Sequence, residues 1–406
     1  MPEALRRDSA VNYREGWFFV TLNTHDSVPV LSIVEGDQSV ETGGENAPRC
    51  RYTAVGRSVI ERWKHCAEIY ENVEVHECEA MPEHFHGLIR LKAGNRRHLG
   101  EIIKGFMIGC SHAYWDTLGI PWRDMKYTKG VRTPEYQDRD HTRSYRGPAL
   151  FVHGYNDVEP LTTEAVEIKR AYIRDQARKR LLQGSHHACF TVHRNLTSAT
   201  WTAERIIEGL CHDHRMATSP TALQEAWQTI VCRINWKTVE KQTEAVTDIT
   251  SQMTCNTSTL DMIGNMQLLK RPRVSLICHR SESERFDEQM AAVLRKAREE
   301  GTVVVTACIS SKEREVVKTL HREQLPVIEV MGNGFSERYK PTGQAFYSTA
   351  EGLRLEISPW KYLYQRPSTD ADGREKPQIT RSMCMVMNEV VRLISQQPDD
   401  WWKSKP

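Results

Sequence analysis

The sequence predicts two folded regions of different class. The first is an N-terminal α+β domain built on an antiparallel sheet; the second is a C-terminal α/β domain built on a parallel one. Three observations carry this. Short runs of alternating apolar residues recur between residues 16 and 92, separated by a stretch of helical period. From residue 272 the rhythm changes to strand, helix, strand, helix. The chain has 406 residues, too many for one typical domain, and its 39% hydrophobic content can support two cores.

The first region reads in order as a strand over 16–24, a polar excursion with Gly and Pro over 25–49 and a helix over 57–70. Strands over 72–80 and 84–92 and a helix over 96–118 follow. A strand near 148–153 and a helix over 162–182 complete it. This β-α-β-β-α-β order is the split βαβ, ferredoxin-like arrangement. With helices on one face, it leaves the other face of the sheet free. Residues 120–147, charged and rich in Tyr, Arg and Asp, read as a loop excursion. The first domain spans 14–185.

Residues 186–268 read as a helical linker. Thr202–Leu210 fits a short helix, and Thr218-Ser219-Pro220 fits a helix start ahead of Leu223, Ala226, Trp227, Ile230 and Val231 on one stripe. Cys211-His212-Asp213-His214 lies there, but its spacing matches no recognised zinc finger. The last region, 269–400, alternates strands (273–277, 302–306, 326–331, 353–357) with helices (281–300, 312–324, 382–394). That alternation predicts a parallel, doubly wound, Rossmann-like sheet.

The chemistry concentrates in Met81-Pro82-Glu83-His84-Phe85-His86-Gly87. On a strand, neighbours alternate faces, so His84 and His86 share one side and Phe85 points to the core. Two imidazoles side by side on a rigid strand are half a metal site; they are also compatible with a pair of hydrogen-bonded structural histidines. The helix over 162–182 places Tyr172 and Gln176 at i and i+4, on one face. Tyr172 can act as a nucleophile, and Gln176 can offer an amide oxygen to a metal.

His-hydrophobic-His followed by Tyr-x-x-x-Gln resembles the single-tyrosine HUH transposases, in particular the REP-associated tyrosine transposases. The likeness covers about residues 14–183. It extends to Gly16-Trp17-Phe18-Phe19-Val20-Thr21-Leu22-Asn23-Thr24, to Leu99–Phe106 after the histidine strand, and to Gly154-Tyr155-Asn156-Asp157. It implies that His84, His86 and Gln176 hold a divalent cation, Mg or Mn, and that Tyr172 attacks a phosphodiester of single-stranded or hairpin DNA. The implied product is a 5′-phosphotyrosine with a free 3′-hydroxyl, which a second 3′-hydroxyl can reverse in strand transfer. The family also implies a homodimer. A non-catalytic DNA-binding regulator or scaffold on the same fold is the alternative. Tyr136, Tyr145 and Tyr155 compete with Tyr172 as nucleophile, but none has an acceptor four residues on in a clear helix.

The net charge of +2 does not announce a nucleic-acid partner, but its distribution is uneven. Between Arg90 and Arg146, 12 Lys/Arg stand against 6 Asp/Glu. Arg170, Arg174 and Arg178 recur every four residues beside the tyrosine. Arg96, Arg97 and Lys104 with that stripe are therefore candidate phosphate contacts, against the alternative of a solvated helix face.

The C-terminal region resembles the Rossmann-like domain of DNA-processing protein A through Cys278-His279-Arg280, Ala307-Cys308-Ile309-Ser310 and Gly332-Asn333-Gly334-Phe335. Arg280, Ser310, Gly332, Asn333 and Gly334 are its candidate ligand residues; a purely structural or oligomerisation role is the alternative. There is no GxGxxG, so dinucleotide binding lacks its signature. Eleven scattered cysteines without Cys-x-x-Cys fit reduced thiols rather than a disulfide framework. With no apolar leader or membrane-length run, a cytoplasmic protein that does not enter a membrane is expected.

Overall fold

Strand β1 (Gly16–Asn23) has two different buried faces. Phe18, Val20 and Leu22 alternate into the main core, while Trp17 and Phe19 face the opposite side. The computed structural model describes residues 11–120, 148–198, 202–212, 220–238, 256–278, 283–337, 339–363 and 379–397. The chain divides into two compact units, Met1–Ser185 and His186–Pro406.

In the first unit, β2 (Ser32–Glu35) and β3 (Arg49–Tyr52) form a hairpin within the polar excursion, tied across by Glu35 to Arg49 and Arg51. Helix α1 (Ala54–Ile69) starts on Thr53, whose hydroxyl accepts from the Gly56 amide. It buries Val55, Val59, Trp63 and Cys66, spaced for a single helical face. Strands β4 (Val73–Met81) and β5 (His84–Leu91) pair as an antiparallel hairpin. Helix α2 (Leu99–Thr117) begins with a capping box of His98 and Glu101, and buries Ile102, Phe106 and Cys110 against α1 and the sheet. Gly87 sits where a Cβ would lie 2.5 Å from the Trp63 ring, so the indole packs flat on the strand only because this residue has no side chain.

The expected strand at 148–153 is displaced. Phe151 makes a single bridge to Thr24, and the ladder resumes only at β6 (Asn156–Val158). The sheet order is β4-β5-β1-β6, antiparallel throughout.

The helix expected over 162–182 is two helices. α3 (Thr163–Arg174) stops at Asp175, and α4 (Gln176–Ser185) starts after it. Nor is the second sheet face free, as the element order had implied. α3 lies on it, with Val166 and Ile173 packed on Phe19 and Leu88. The reason is the apolar stripe on α3, which has to be covered.

In the second unit the middle stretch is not a helical linker. β7 (His193–Leu196) and β10 (Leu260–Gly264) join the main sheet, and α5 (Ala203–His212) and α6 (Pro220–Arg233) contribute Ile206, Leu210 and Ala226 to its core. β8 (Trp236–Thr238) and β9 (Asn256–Ser258) make a small hairpin beside them. Strands β11 (Arg273–Ser275), β12 (Val303–Thr306), β13 (Val327–Val330) and β14 (Arg354–Ser358) are parallel neighbours in chain order. β10 and β7 then add antiparallel strands at the β14 edge.

The sheet is therefore mixed, and its parallel part does not reverse direction as a doubly wound sheet does. Helices α7 (Ser283–Glu300) and α8 (Ser311–Arg322) cover one face. The other face packs on α10 (Arg381–Ser395), whose Val386, Met387, Val390 and Val391 are buried. Short α9 (Gln344–Ala350) precedes β14 and contacts α8.

A charged network lies inside this unit. Arg354, 4% exposed, pairs with Glu329 and Glu356, and His321 lies 3.7 Å from Glu329 and 2.8 Å from the Ser348 hydroxyl. Burial pushes the His321 pKa below its usual 6.5; Arg354 adds to this and Glu329 opposes it. The unfolded chain then takes up the proton first, so this stability is present above about pH 6.5 and is lost as pH falls. Protection of the β13 and β14 amides, taken relative to the intrinsic exchange rate at each pH, should fall on acidification, and His321→Gln should flatten that dependence. Equal acid sensitivity in both proteins would assign the limb to another group.

Candidate active site

Strand β5 presents His84, His86 and Leu88 to the face that α3 covers. The two imidazole rings stand 4.7 Å apart, centroid to centroid. His86 is 5% exposed and stacks on Phe19 at 5.1 Å. Its Nδ1 is 2.9 Å from the Thr21 hydroxyl, across the β1–β5 pairing that sets Thr21 opposite His86. Burial, with the charges of His84 and Lys169 adding to it, pushes the His86 pKa down to about 3, so the ring is neutral. In the tautomer whose Nδ1–H donates to Thr21, the lone pair available for a ligand is on Nε2.

Tyr172, in the last turn of α3, sets its ring edge-on to His86 at 5.4 Å and to Phe19 at 5.7 Å. Lys179 Nζ lies 4.9 Å from the centre of the tyrosine ring, and Lys169 Nζ 4.9 Å from that of Phe19. Gln176 is buried at the start of α4 and donates from its side-chain amide to the Tyr172 carbonyl at 3.0 Å. Tyr172, Gln176 and Arg180 follow at four-residue steps. The first touches His86; the third pairs at 2.9 Å with Glu83, whose other near neighbour is His84 Nδ1 at 3.6 Å. Gln176 is thus bracketed by contacts to both histidines' surroundings, although its own amide nitrogen is spent on the helix.

Glu83 was not singled out by the sequence pattern, yet it immediately precedes His84. Its Oε2 is buried and has no hydrogen-bond partner. The His84 hydrogen bond, helped by the Arg180 charge, holds its pKa below the usual carboxylate range despite burial. Two imidazoles, with the amide oxygen of Gln176, are donors of the kind a divalent cation accepts. Among the described residues no three His, Cys, Asp or Glu side chains converge, so the cation would depend on Gln176 or solvent for further ligands. Thr21 was also missed, and Lys169 and Lys179 were legible only as members of the basic run on the tyrosine helix, not as neighbours of the rings. Lys179 is seven residues beyond Tyr172, a helical spacing that could have flagged it.

The basic stripe is engaged internally. Arg170 donates to both oxygens of Glu77 at 2.8 and 2.7 Å, and Arg174 pairs with the same carboxylate. Arg178 donates to the carbonyls of Gln38 and Val40. These guanidiniums pin α3 and α4 to β4 and to the loop after β2, which spends the charge expected to face phosphate. Arg96, Arg97 and Lys104 are exposed, the first two before α2 and the last on it.

In the second unit, Ser310 caps α8 together with Glu313. Asn333 ties its turn to Leu363 in both directions, by accepting from its amide and donating to its carbonyl. Gly334 sits 2.3 Å, by its missing Cβ, from the Tyr362 backbone nitrogen, and Gly332 packs under Ile379. Each has a structural task. Arg280 lies outside the described residues, as do Asp213, His214, Tyr136 and Tyr145. The ten described cysteines are free thiols. Among the described residues no helix is long and apolar enough to cross a membrane.

No protein-family model matches the chain, and no curated protein matches it.

Proposed function

We propose that the first unit is a ferredoxin-like, single-tyrosine HUH nuclease that nicks single-stranded DNA and transfers the strand through a covalent phosphotyrosine. The observation that carries this reading is the Tyr172 ring set against His86, with His84 beside it on one sheet face. A free phenol has a pKa of about 10, so a tyrosine needs help as a nucleophile near neutral pH. Lys179 over the Tyr172 ring and Lys169 over that of Phe19 bring positive charge to this side of the sheet, which would favour a phenolate and a phosphate there. His84 and His86, with Gln176, would hold Mg or Mn, which supplies Lewis-acid polarisation of the phosphate and neutralises its developing charge.

Tyr172 Oη then attacks phosphorus. The new bond is Oη–P, the bond broken is P–O3′, and the phenolic proton replaces phosphorus on the departing 3′-oxygen. Thr21 holds the His86 ring in place throughout. The phosphotyrosine retains the bond energy, so attack by another 3′-hydroxyl joins new ends without ATP. The DNA must be unpaired at the cut for its phosphate to reach a site between α3 and the sheet.

Incubating the full chain with a pool of single-stranded hairpin DNAs and Mn²⁺ should give adducts that survive denaturing electrophoresis. Tight binding without any adduct would favour a DNA-binding regulator instead. The proposal includes a homodimer, with light scattering expected to give about twice the chain mass of 46.8 kDa. A monomeric mass at micromolar concentration with full nicking would remove the dimer from it.

A further inference from the structure

Helix α2 and the segment leading into β6 enclose a cavity of about 280 Å³ that the nicking chemistry does not use. Gly100, Lys104, Ile108, Ser111 and Trp115 come from one face of α2, at helical spacing. Phe151, His153 and Tyr155 close the opposite wall. The walls are mainly aromatic and aliphatic, and the Lys104 ammonium is exposed at the rim. Trp115 is fixed by its indole N–H, which donates to the Pro148 carbonyl at 2.8 Å, and its ring lies 5.4 Å from His112. Ile108 leaves apolar surface exposed at the opening, 47% accessible.

Its location relates it to the tyrosine site. Val152 donates its amide to the Asn23 carbonyl, and Asn23 is paired with His84 in the sheet register. Two residues beyond His153, Tyr155 adjoins Asn156, which pairs with Thr21, the partner of His86. The wall of the cavity is thus the strand segment that borders β1 on the side away from β5. A nucleic-acid strand crossing this sheet edge would have a phosphate-binding face on one side and an aromatic recess on the other.

We propose that the cavity takes one unpaired nucleobase of the strand whose phosphate lies against Tyr172. The inference rests on the nicking reading and deepens it. The volume lies near the lower end for small-ligand pockets, which suits one flat heterocycle rather than a larger ligand. Aromatic walls offer faces for stacking, and a single cation at the rim suits the phosphate attached to that base. The recess would then fix the distance along the strand between the recognised base and the cut.

The test uses the full chain and a single-stranded DNA carrying 2-aminopurine at each position in turn. One position should show strong fluorescence quenching on binding, and an abasic residue there should weaken binding by about 5- to 100-fold. Ser111→Phe, which fills the cavity from α2, should abolish the position-specific quenching. Lys104→Ala, an exposed change that leaves the walls intact, should weaken binding and reduce its salt dependence. Uniform quenching along the strand in the wild-type protein, or an unchanged profile in Ser111→Phe, would overturn the pocket while adducts at Tyr172 still formed. Failure of the wild-type protein both to bind single strands and to form adducts would overturn the pocket and the nicking reading together.

Discussion

Tyr172→Phe is expected to eliminate covalent attachment to single-stranded DNA, a loss on the order of 10⁴-fold or more, because it removes the hydroxyl proposed as nucleophile. Binding should be nearly unchanged. The phenyl ring keeps its edge contacts with Phe19 and His86 and still lies under Lys179. Denaturing gels on labelled hairpin DNA read the first quantity and fluorescence anisotropy the second. Adducts at the wild-type rate in the Phe variant would move the nucleophile to another tyrosine. Loss of binding as well would mean that the hydroxyl is structural.

Removal of either imidazole should be nearly as severe. His84→Ala and His86→Ala are each expected to abolish divalent-dependent cleavage and to remove Mn²⁺ binding in calorimetry. Gln176→Ala should weaken both less, since a neutral amide contributes least to holding a cation and its nitrogen is bonded to the Tyr172 carbonyl. Thr21→Val takes away only the partner of His86 Nδ1 and should cost about 10- to 100-fold in metal affinity, as loss of a supporting hydrogen bond does. Unchanged Mn²⁺ affinity in both alanine variants would make the histidines a packing feature of β5. The neutral state of His86, set by burial, means that protons should compete for this ligand only in strong acid.

Much of this unit was legible because its signals are local. Alternation on 84–91 put His84 and His86 on one face, and the register confirms that they face away from Phe85. The i, i+4 spacing placed Tyr172 and Gln176 together, although their helix breaks between them at Asp175. Neither Gly nor Pro marks that break, so no residue type announced it. What could not be read was long-range. Glu77 and Arg170 are 93 residues apart, and nothing near Arg170 says that its charge is already matched. The same holds for Thr21 and His86, 65 residues apart. In the second unit, strand and helix lengths were readable from apolar runs, but strand order was not. Crossovers of similar length build a sheet that reverses or one that keeps its direction, and the sequential pairing, with α7 and α8 on one face, is what distinguishes them here. Glycines 332 and 334 look like ligand-loop residues in one dimension, whereas the packed Ile379 side chain and the chain crossing at Tyr362 account for them.

Glu77 sits on the edge strand β4 and grips two guanidiniums of α3. The helix that carries Tyr172 is thereby moored to the sheet that carries the histidines of the same chain. Swapping that helix between two copies would first have to break both ion pairs and pull Val166 and Ile173 out of their apolar seat. Each subunit of a dimer would accordingly be self-sufficient as a cutter. Pairing would then govern which two DNA ends are brought within reach of one another, and so the outcome of rejoining rather than the act of cleavage.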